Sequence, residues 1–234
     1  MFLSLIIFTF MFIPSQSNQN ERKFSEAELS RHLFQNYSRY RKPRINASDP
    51  VIVEYQFSIY SISEIDLERR LFISSSSMAF WWHDEHLIWE NDEKFSNVSY
   101  FVVQTNEIWL PSFIIANSIP PQVLQSPRGF LVGLRSNGWV EYYPVAEMAT
   151  DCNINLRYWP FDVHNCSFIF TSYSHTSDQL IFIPYADQPW NFFRLEDSKT
   201  WQVVEHYNEI REQCFQIENK CFPVVCGLNF LNFV

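Results

Sequence analysis

Five cysteines, at 152, 166, 214, 221 and 226, and a dense supply of aromatic rings are the residues of this 234-residue chain whose types and spacing could do chemistry. Cys152 and Cys166 enclose the thirteen residues NINLRYWPFDVHN. Linking them would remove about 3 kcal/mol of unfolded-chain entropy. The odd number leaves at least one cysteine unpaired or paired between chains. The rings are 23 Phe, 11 Tyr and 8 Trp. Ring faces attract an organic cation by about 2 kcal/mol or more once it is desolvated, although most rings in a chain this size fill a core. Four Asn-X-Ser triplets, at Asn36, Asn46, Asn97 and Asn165, are glycosylation acceptors in an extracellular protein.

Other chemistries are excluded. The four glycines, at 129, 133, 138 and 227, cannot build a GxGxxG turn or a phosphate-cradling loop. No GxSxG, HExxH or CxxC is present, so nucleophilic and metal-assisted hydrolysis have no support. His83-Asp84-Glu85-His86 has metal-ligating residue types, but on a strand residues three apart point to opposite faces, as do the neighbours Asp84 and Glu85. The sequence therefore calls for no metal, no cofactor and no paired-carboxylate catalysis. A net charge of -9 gives no electrostatic footprint for nucleic acid, and the basic residues between Arg22 and Arg44 read as a solvated face.

Residues 1–17 read as a secretory signal peptide: Met1 to Ile13 is almost wholly apolar, and Pro14-Ser15-Gln16-Ser17 follows. Residues 18–234 read as one extracellular domain, soluble as it stands, because no later run reaches about 18 uncharged apolar residues. That compartment permits oxidation of the cysteines.

Ser25-Glu26-Ala27-Glu28 has the pattern of a capping box. It predicts a short amphipathic helix with Leu29, Leu33, Phe34 and Tyr37 on one face and Pro43 as its stop. From Val51 the period changes to two: Val51, Val53, Tyr55, Phe57 and Ile59 share one side. Further short runs predict strands at Met78–Trp82, Tyr100–Val103, Ile108–Ile115, Gly129–Leu134, Trp139–Tyr143, Asn153–Tyr158, Ser167–Tyr173, Leu180–Ile183 and Trp201–Glu205. About ten strands and one opening helix predict an all-β fold, a single-domain β-sandwich.

The enclosed Trp159-Pro160-Phe161-Asp162, together with the spacing of Cys152 and Cys166, resembles the Cys-loop, or pentameric, ligand-gated ion channels. Further motifs follow in family order. The opening helix and Arg41-Lys42-Pro43 resemble the family's N-terminal helix and its exit. Trp82-His83-Asp84-Glu85-His86-Leu87-Ile88-Trp89 is similar to its WxDxxLxW strand, Trp109-Leu110-Pro111 to its WxP turn, and Gly138 to Pro144 to the hairpin before the Cys loop. The resemblance implies a ten-strand immunoglobulin-like sandwich, a Cys152–Cys166 disulfide, a structural Asp84, and a homo- or hetero-pentamer of related subunits. It also implies a small, neurotransmitter-like ligand held between adjacent subunits.

For that ligand the resemblance implies aromatic walls. Seven residues past the second loop cysteine stands Tyr173; Tyr142 occupies the aromatic position of the preceding hairpin; Phe215 lies beside Cys214 near the C-terminus. Cys214 and Cys221 are similar to the separated hairpin disulfide of glycine receptors. Two wall positions carry no ring: Ala116 after the WxP turn, and Ser77 five residues before Trp82. Ser112 stands where the family has Asp. These departures speak against tight binding of a quaternary ammonium such as acetylcholine. The loop residues Trp159, Pro160, Phe161 and Asp162 are implied to press on membrane helices and pass movement to a pore. The chain stops before any such helix, and Cys226-Gly227-Leu228-Asn229-Phe230 matches the family's last strand poorly. The expectation is the extracellular part of a channel subunit at the synaptic plasma membrane. The alternative is a secreted binder similar to the acetylcholine-binding protein.

Overall fold

A computed structural model describes residues 19–119, 122–123, 130–159, 161–172, 174–187, 190–191, 201–215 and 220–233. For 19–25, 122–123, 187, 190–191, 201–208, 211–212, 214–215, 220 and 226–233 the backbone alone is described. The signal-peptide segment, Pro160 and Tyr173 lie outside these residues. Among the described residues one α-helix, α1 (Gln19–Phe34), precedes thirteen strands: β1 (Val51–Asp66), β2 (Leu71–His83), β3 (Tyr100–Gln104), β4 (Ile114–Ile115), β5 (Gln122–Val123), β6 (Leu131–Arg135), β7 (Trp139–Tyr142), β8 (Val145–Asn153), β9 (Val163–Thr171), β10 (Leu180–Pro184), β11 (Trp190–Asn191), β12 (Trp201–Phe215) and β13 (Lys220–Phe233). Three have only two residues, so ten longer strands make the sandwich. Among the described residues no helix is long and apolar enough to cross a membrane.

One sheet runs β3-β6-β7-β2-β1, with β10 and β11 parallel to β1 beyond it. The other runs β12-β13-β9-β8, with β4 also on β9. Strand β8 belongs to both, because Val145–Asp151 pair with β2 whereas Cys152 and Asn153 pair with Cys166 and Asn165 of β9. Strict alternation explains the core. In β1, Val51, Val53, Tyr55, Phe57 and Ile59 are all buried, and Phe168 and Phe170 of β9 meet them, with Phe57 and Phe168 ring centroids 4.6 Å apart. Phe113 bridges Phe80 and Phe182, each at 4.3 Å.

Several sequence expectations change. The helix begins at Gln19, so Ser25 lies within it and is not its cap, while Glu21, Arg22 and Lys23 are good helix formers that let it start earlier. It ends at Phe34, nine residues before Pro43, although Leu29, Leu33, Phe34 and Tyr37 do share the buried side. Residues 154–159 form no strand, because Asn155 accepts from Arg157 N–H (3.1 Å) and Asp162 from Tyr158 N–H (2.9 Å), offering the backbone side-chain partners instead of a ladder. Pro111 restricts the run from Ile108 to pairing at Ile114 and Ile115 alone. Four strands come as additions: the two-residue β5 and β11, and the longer β8 and β13. In β8, Met148, Thr150 and Cys152 face inward, a pattern too mixed to read as a strand. The stretch 226–230, read as a poor match, is part of β13 and pairs in unbroken register with β9. Pro223 interrupts neither partner, since the pairing with β9 starts at Val224.

Candidate functional site

Three segments distant in sequence converge beside β9. Trp109 of the WxP turn is buried edge-on against Trp82 (5.9 Å, 76°), and its backbone N–H donates to Tyr37 Oη at 3.0 Å. Just past Pro111, the Ser112 hydroxyl lies 2.8 Å from Ser172 Oγ and 3.4 Å from His175 Nδ1. Ala116 is exposed, but its N–H reaches Ile169 O at 2.7 Å, and Asn117 clasps β9 by donating to Ser167 O (2.8 Å) and accepting from Ile169 N–H (3.0 Å). From the other side, Thr171 Oγ1 donates to Pro223 O (2.9 Å) and Ser177 N–H to Cys221 O (2.8 Å). The turn at 109–112, the segment 171–177 and the β12–β13 hairpin are thus fastened together around the sequence position of Tyr173.

Phe215 closes the hairpin opposite Lys220, with its backbone alone described. Cys221 is disulfide-bonded, and Cys214 is the residue directly across from it. Cys226 stands opposite Glu209 and Ile169.

The hairpin before the Cys loop requires a correction. Tyr142 is 3 % exposed and stacks on Phe80 (6.2 Å, 22°) within the core, so its ring faces away from any ligand surface. Its neighbour Tyr143 is the exposed ring, set edge-on to Trp81 (5.9 Å, 85°), which stacks on Tyr185 (4.4 Å, 29°). The signal was in the sequence: Val140 must face the core and Glu141 solvent, and period two then puts Tyr142 in and Tyr143 out. Glu141 forms an ion pair with Arg135 beside this aromatic corner, and partial burial pushes the Tyr143 hydroxyl above its ordinary value. Ser77, where a ring was expected, is buried with its Oγ 2.8 Å from the Tyr60 hydroxyl. A bulge between Ile59 and Ser61 places Tyr60 there, a tertiary placement that spacing within β2 cannot reveal. The outer face of this sheet therefore carries Trp81, Tyr143, Tyr185 and Tyr60.

At the Cys loop, Cys152 and Cys166 are disulfide-bonded. Trp159 and Phe161 are 74 % and 78 % exposed, whereas Asp162 is 3 % exposed and held by Tyr158 N–H. His164, also buried, accepts from Asn155 N–H at 3.3 Å, and burial holds its imidazole below its ordinary value although Asp162 works the other way. The loop thus tucks its carboxylate in and turns two rings out.

The segment His83 to His86 is not a continuous strand, since β2 ends at His83, so strand alternation does not govern Asp84, Glu85 and His86. Contacts separate them instead. His83 Nε2 meets Asn137 O at 2.8 Å, Asp84 accepts from Tyr37 Oη–H and His86 N–H, and Glu85 is taken by Arg44 and Ile45 N–H. Asp84 also accommodates the turn at Gly138: its N–H donates to Gly138 O at 2.8 Å, and a Cβ on Gly138 (φ +87°) would meet Asp84 O at 2.8 Å. Among the described residues no three His, Cys, Asp or Glu side chains gather as a metal site. Of the four sequon asparagines, Asn36, Asn46 and Asn97 are exposed. Asn165 lies within β9 with its Oδ1 buried.

The described elements build a two-sheet sandwich with a disulfide-closed loop and aromatic rings on its outer face. Residues 26–225 match the model of the neurotransmitter-gated ion-channel ligand binding domain, and the chain belongs to that family. It is 29% identical over 177 residues to neuronal acetylcholine receptor subunit alpha-2 of Gallus gallus, covering 74% of this chain and 33% of that protein. It is 28% identical over 207 residues to 5-hydroxytryptamine receptor 3A of Mus musculus, covering 82% and 39%. The Cavia porcellus 5-hydroxytryptamine receptor 3A is 32% identical over 148 residues, covering 63% and 30%. These relatives are receptors and not enzymes, and the chain spans about a third of their length.

Proposed function

We propose that this chain is the extracellular ligand-binding part of a subunit of a pentameric ligand-gated ion channel, at the outer side of the plasma membrane. A small neurotransmitter-like molecule would bind between adjacent subunits. One subunit contributes the face built by the 109–112 turn, segment 171–177 with Tyr173, and the hairpin bearing Phe215. The neighbour contributes the face bearing Trp81, Tyr143 and Tyr60. The convergence of the first three segments, through Ser112–Ser172 and Ser177–Cys221, is the observation that carries this reading. The exposed Trp159 and Phe161, with Pro160 and Asp162, would meet the membrane-side machinery. Cys214 would bond Cys221, and Asn36, Asn46, Asn97 and Asn165 would carry glycans.

The test is secretion of the chain from animal cells, light scattering for its assembly state, and titration with acetylcholine and with 5-hydroxytryptamine. A five-fold assembly that binds a primary-amine ligand more tightly than acetylcholine is expected. A strictly monomeric product that binds neither, and that fails to gate current when fused to a relative's pore helices, overturns the reading.

A further inference from the structure

The WxP turn and the segment around Tyr173 are joined by a closed set of polar groups that the family resemblance does not account for. The backbone N of His175 lies 3.3 Å from Ser172 Oγ, Ser172 Oγ lies 2.8 Å from Ser112 Oγ, and Ser112 Oγ lies 3.4 Å from His175 Nδ1. Ser172 is 0 % exposed, and the half-buried His175 ring packs edge-on against Trp109 (5.7 Å, 72°). A hydroxyl has one proton to give. The three contacts can therefore run in one direction around the ring: His175 N–H to Ser172, Ser172 O–H to Ser112, and Ser112 O–H to Nδ1. This direction requires Nδ1 to be bare, with the ring proton on Nε2.

We propose that His175 is a positioning residue whose unprotonated Nδ1 closes this ring of hydrogen bonds, fastening the residues on both sides of Tyr173 to the WxP turn, and that a proton on Nδ1 breaks it. A protonated Nδ1 becomes a donor to Ser112 Oγ, so the Ser112 proton either leaves the ring or turns toward Ser172. In the second case Ser172 Oγ faces two donors, and its own proton is left in a buried place with no acceptor among the described residues. Leaving such a group unpaired is costly. The surroundings favour the bare form. Lys42, from the segment after α1, is the charged group acting on His175 among the described residues; Trp109 and Ser112 face it from the turn and Ser172 from its own segment. Burial first, and Lys42 second, hold the imidazole below its ordinary value. The inference rests on reading segment 171–177 as part of the ligand face, and it gives that face a built-in sensitivity to acid.

The experiment needs no ligand, so its outcome is separate from that of the binding reading. Two-dimensional NMR of the ring nitrogens at about pH 8 should find the proton of His175 on Nε2. Amide hydrogen exchange of residues 172–176, corrected for intrinsic rate, should rise about tenfold between about pH 8 and pH 5 in the wild type, as one pK unit of coupling implies. His175→Asn keeps an acceptor at the Nδ1 position and cannot take up the proton, so the rise should vanish. A proton on Nδ1 at pH 8, or an equal acid response in both proteins, overturns the proposal. If His175→Asn does not fold, the tautomer decides the question alone.

Discussion

Tyr37 donates its hydroxyl proton to Asp84 Oδ2 at 2.7 Å, and its own Oη accepts the backbone N–H of Trp109 at 3.0 Å. One phenol thereby ties the chain leaving α1 to the turn after β2 and to the WxP turn. Burial, reinforced by the Asp84 charge, pushes the Tyr37 hydroxyl far above its ordinary value, and burial likewise pushes the Asp84 carboxyl up. Tyr37→Phe removes the link but keeps the ring. The expected cost is about 1–3 kcal/mol, the penalty for leaving a buried polar group without its partner. Urea denaturation measures it, and a change below about 0.5 kcal/mol, the usual effect of a neutral surface substitution, would contradict this role.

Tyr142 and Tyr143 separate packing from recognition. Tyr142→Ala empties a core site and should cost about 3–5 kcal/mol, in the range for large aromatic truncations. Tyr143→Ala should leave stability nearly unchanged. If the Trp81 face walls a ligand, the second variant alone should weaken binding, by about tenfold for a loss of 1.4 kcal/mol. Calorimetric titration of the folded variants checks this, and unchanged affinity in Tyr143→Ala would remove that ring from the site.

The Cys loop offers a second contrast. Trp159 and Phe161 touch little within this chain, so alanine at either position should shift the denaturation midpoint by no more than the noise of surface changes, about 0.5 kcal/mol. Replacing Cys152 and Cys166 together by serine should cost about 3 kcal/mol, from the closed loop of about 15 residues. Under the proposed function, loss of gating by Trp159→Ala in a fusion to a relative's pore helices, with normal folding, is the functional counterpart. Loss of folding would show that the ring packs at home instead.

Acid should weaken the fold before it protonates most carboxylates. Burial holds the imidazoles of His164 and His175 below their ordinary 6.5. The unfolded chain therefore binds more protons between the folded values and 6.5, so their contribution is complete above 6.5 and is lost as pH falls through that window. Asp84 acts oppositely: its folded carboxyl holds the proton more tightly, so its share is present below 3.8 and lost as pH rises through its folded value. Urea midpoints across this range should decline on acidification, and His164→Asn with His175→Asn should flatten the decline. An unchanged slope in the double variant would refute the assignment.

The alternation from Val51 to Ile59, the thirteen-residue loop and the ordered motifs were legible because period, spacing and a few unusual residue types suffice to announce a sandwich of this family. Helix α1's true start and strand β8 were not, since a capping pattern within good helix formers and a mixed alternation carry too little local signal. The ring missing at Ser77 was visible in the sequence. Its place being taken by Tyr60 was not, because a bulge in β1 delivers that hydroxyl across a strand pairing. The sequence by itself determined which residues face inward along strands of clear alternation such as β1, and its loop motif, through the family resemblance, pointed to the Cys152–Cys166 disulfide. Only the tertiary structure decided that Ser112, Ser172 and His175 meet, because non-local hydrogen bonds depend on where separate strands end and leave no period behind.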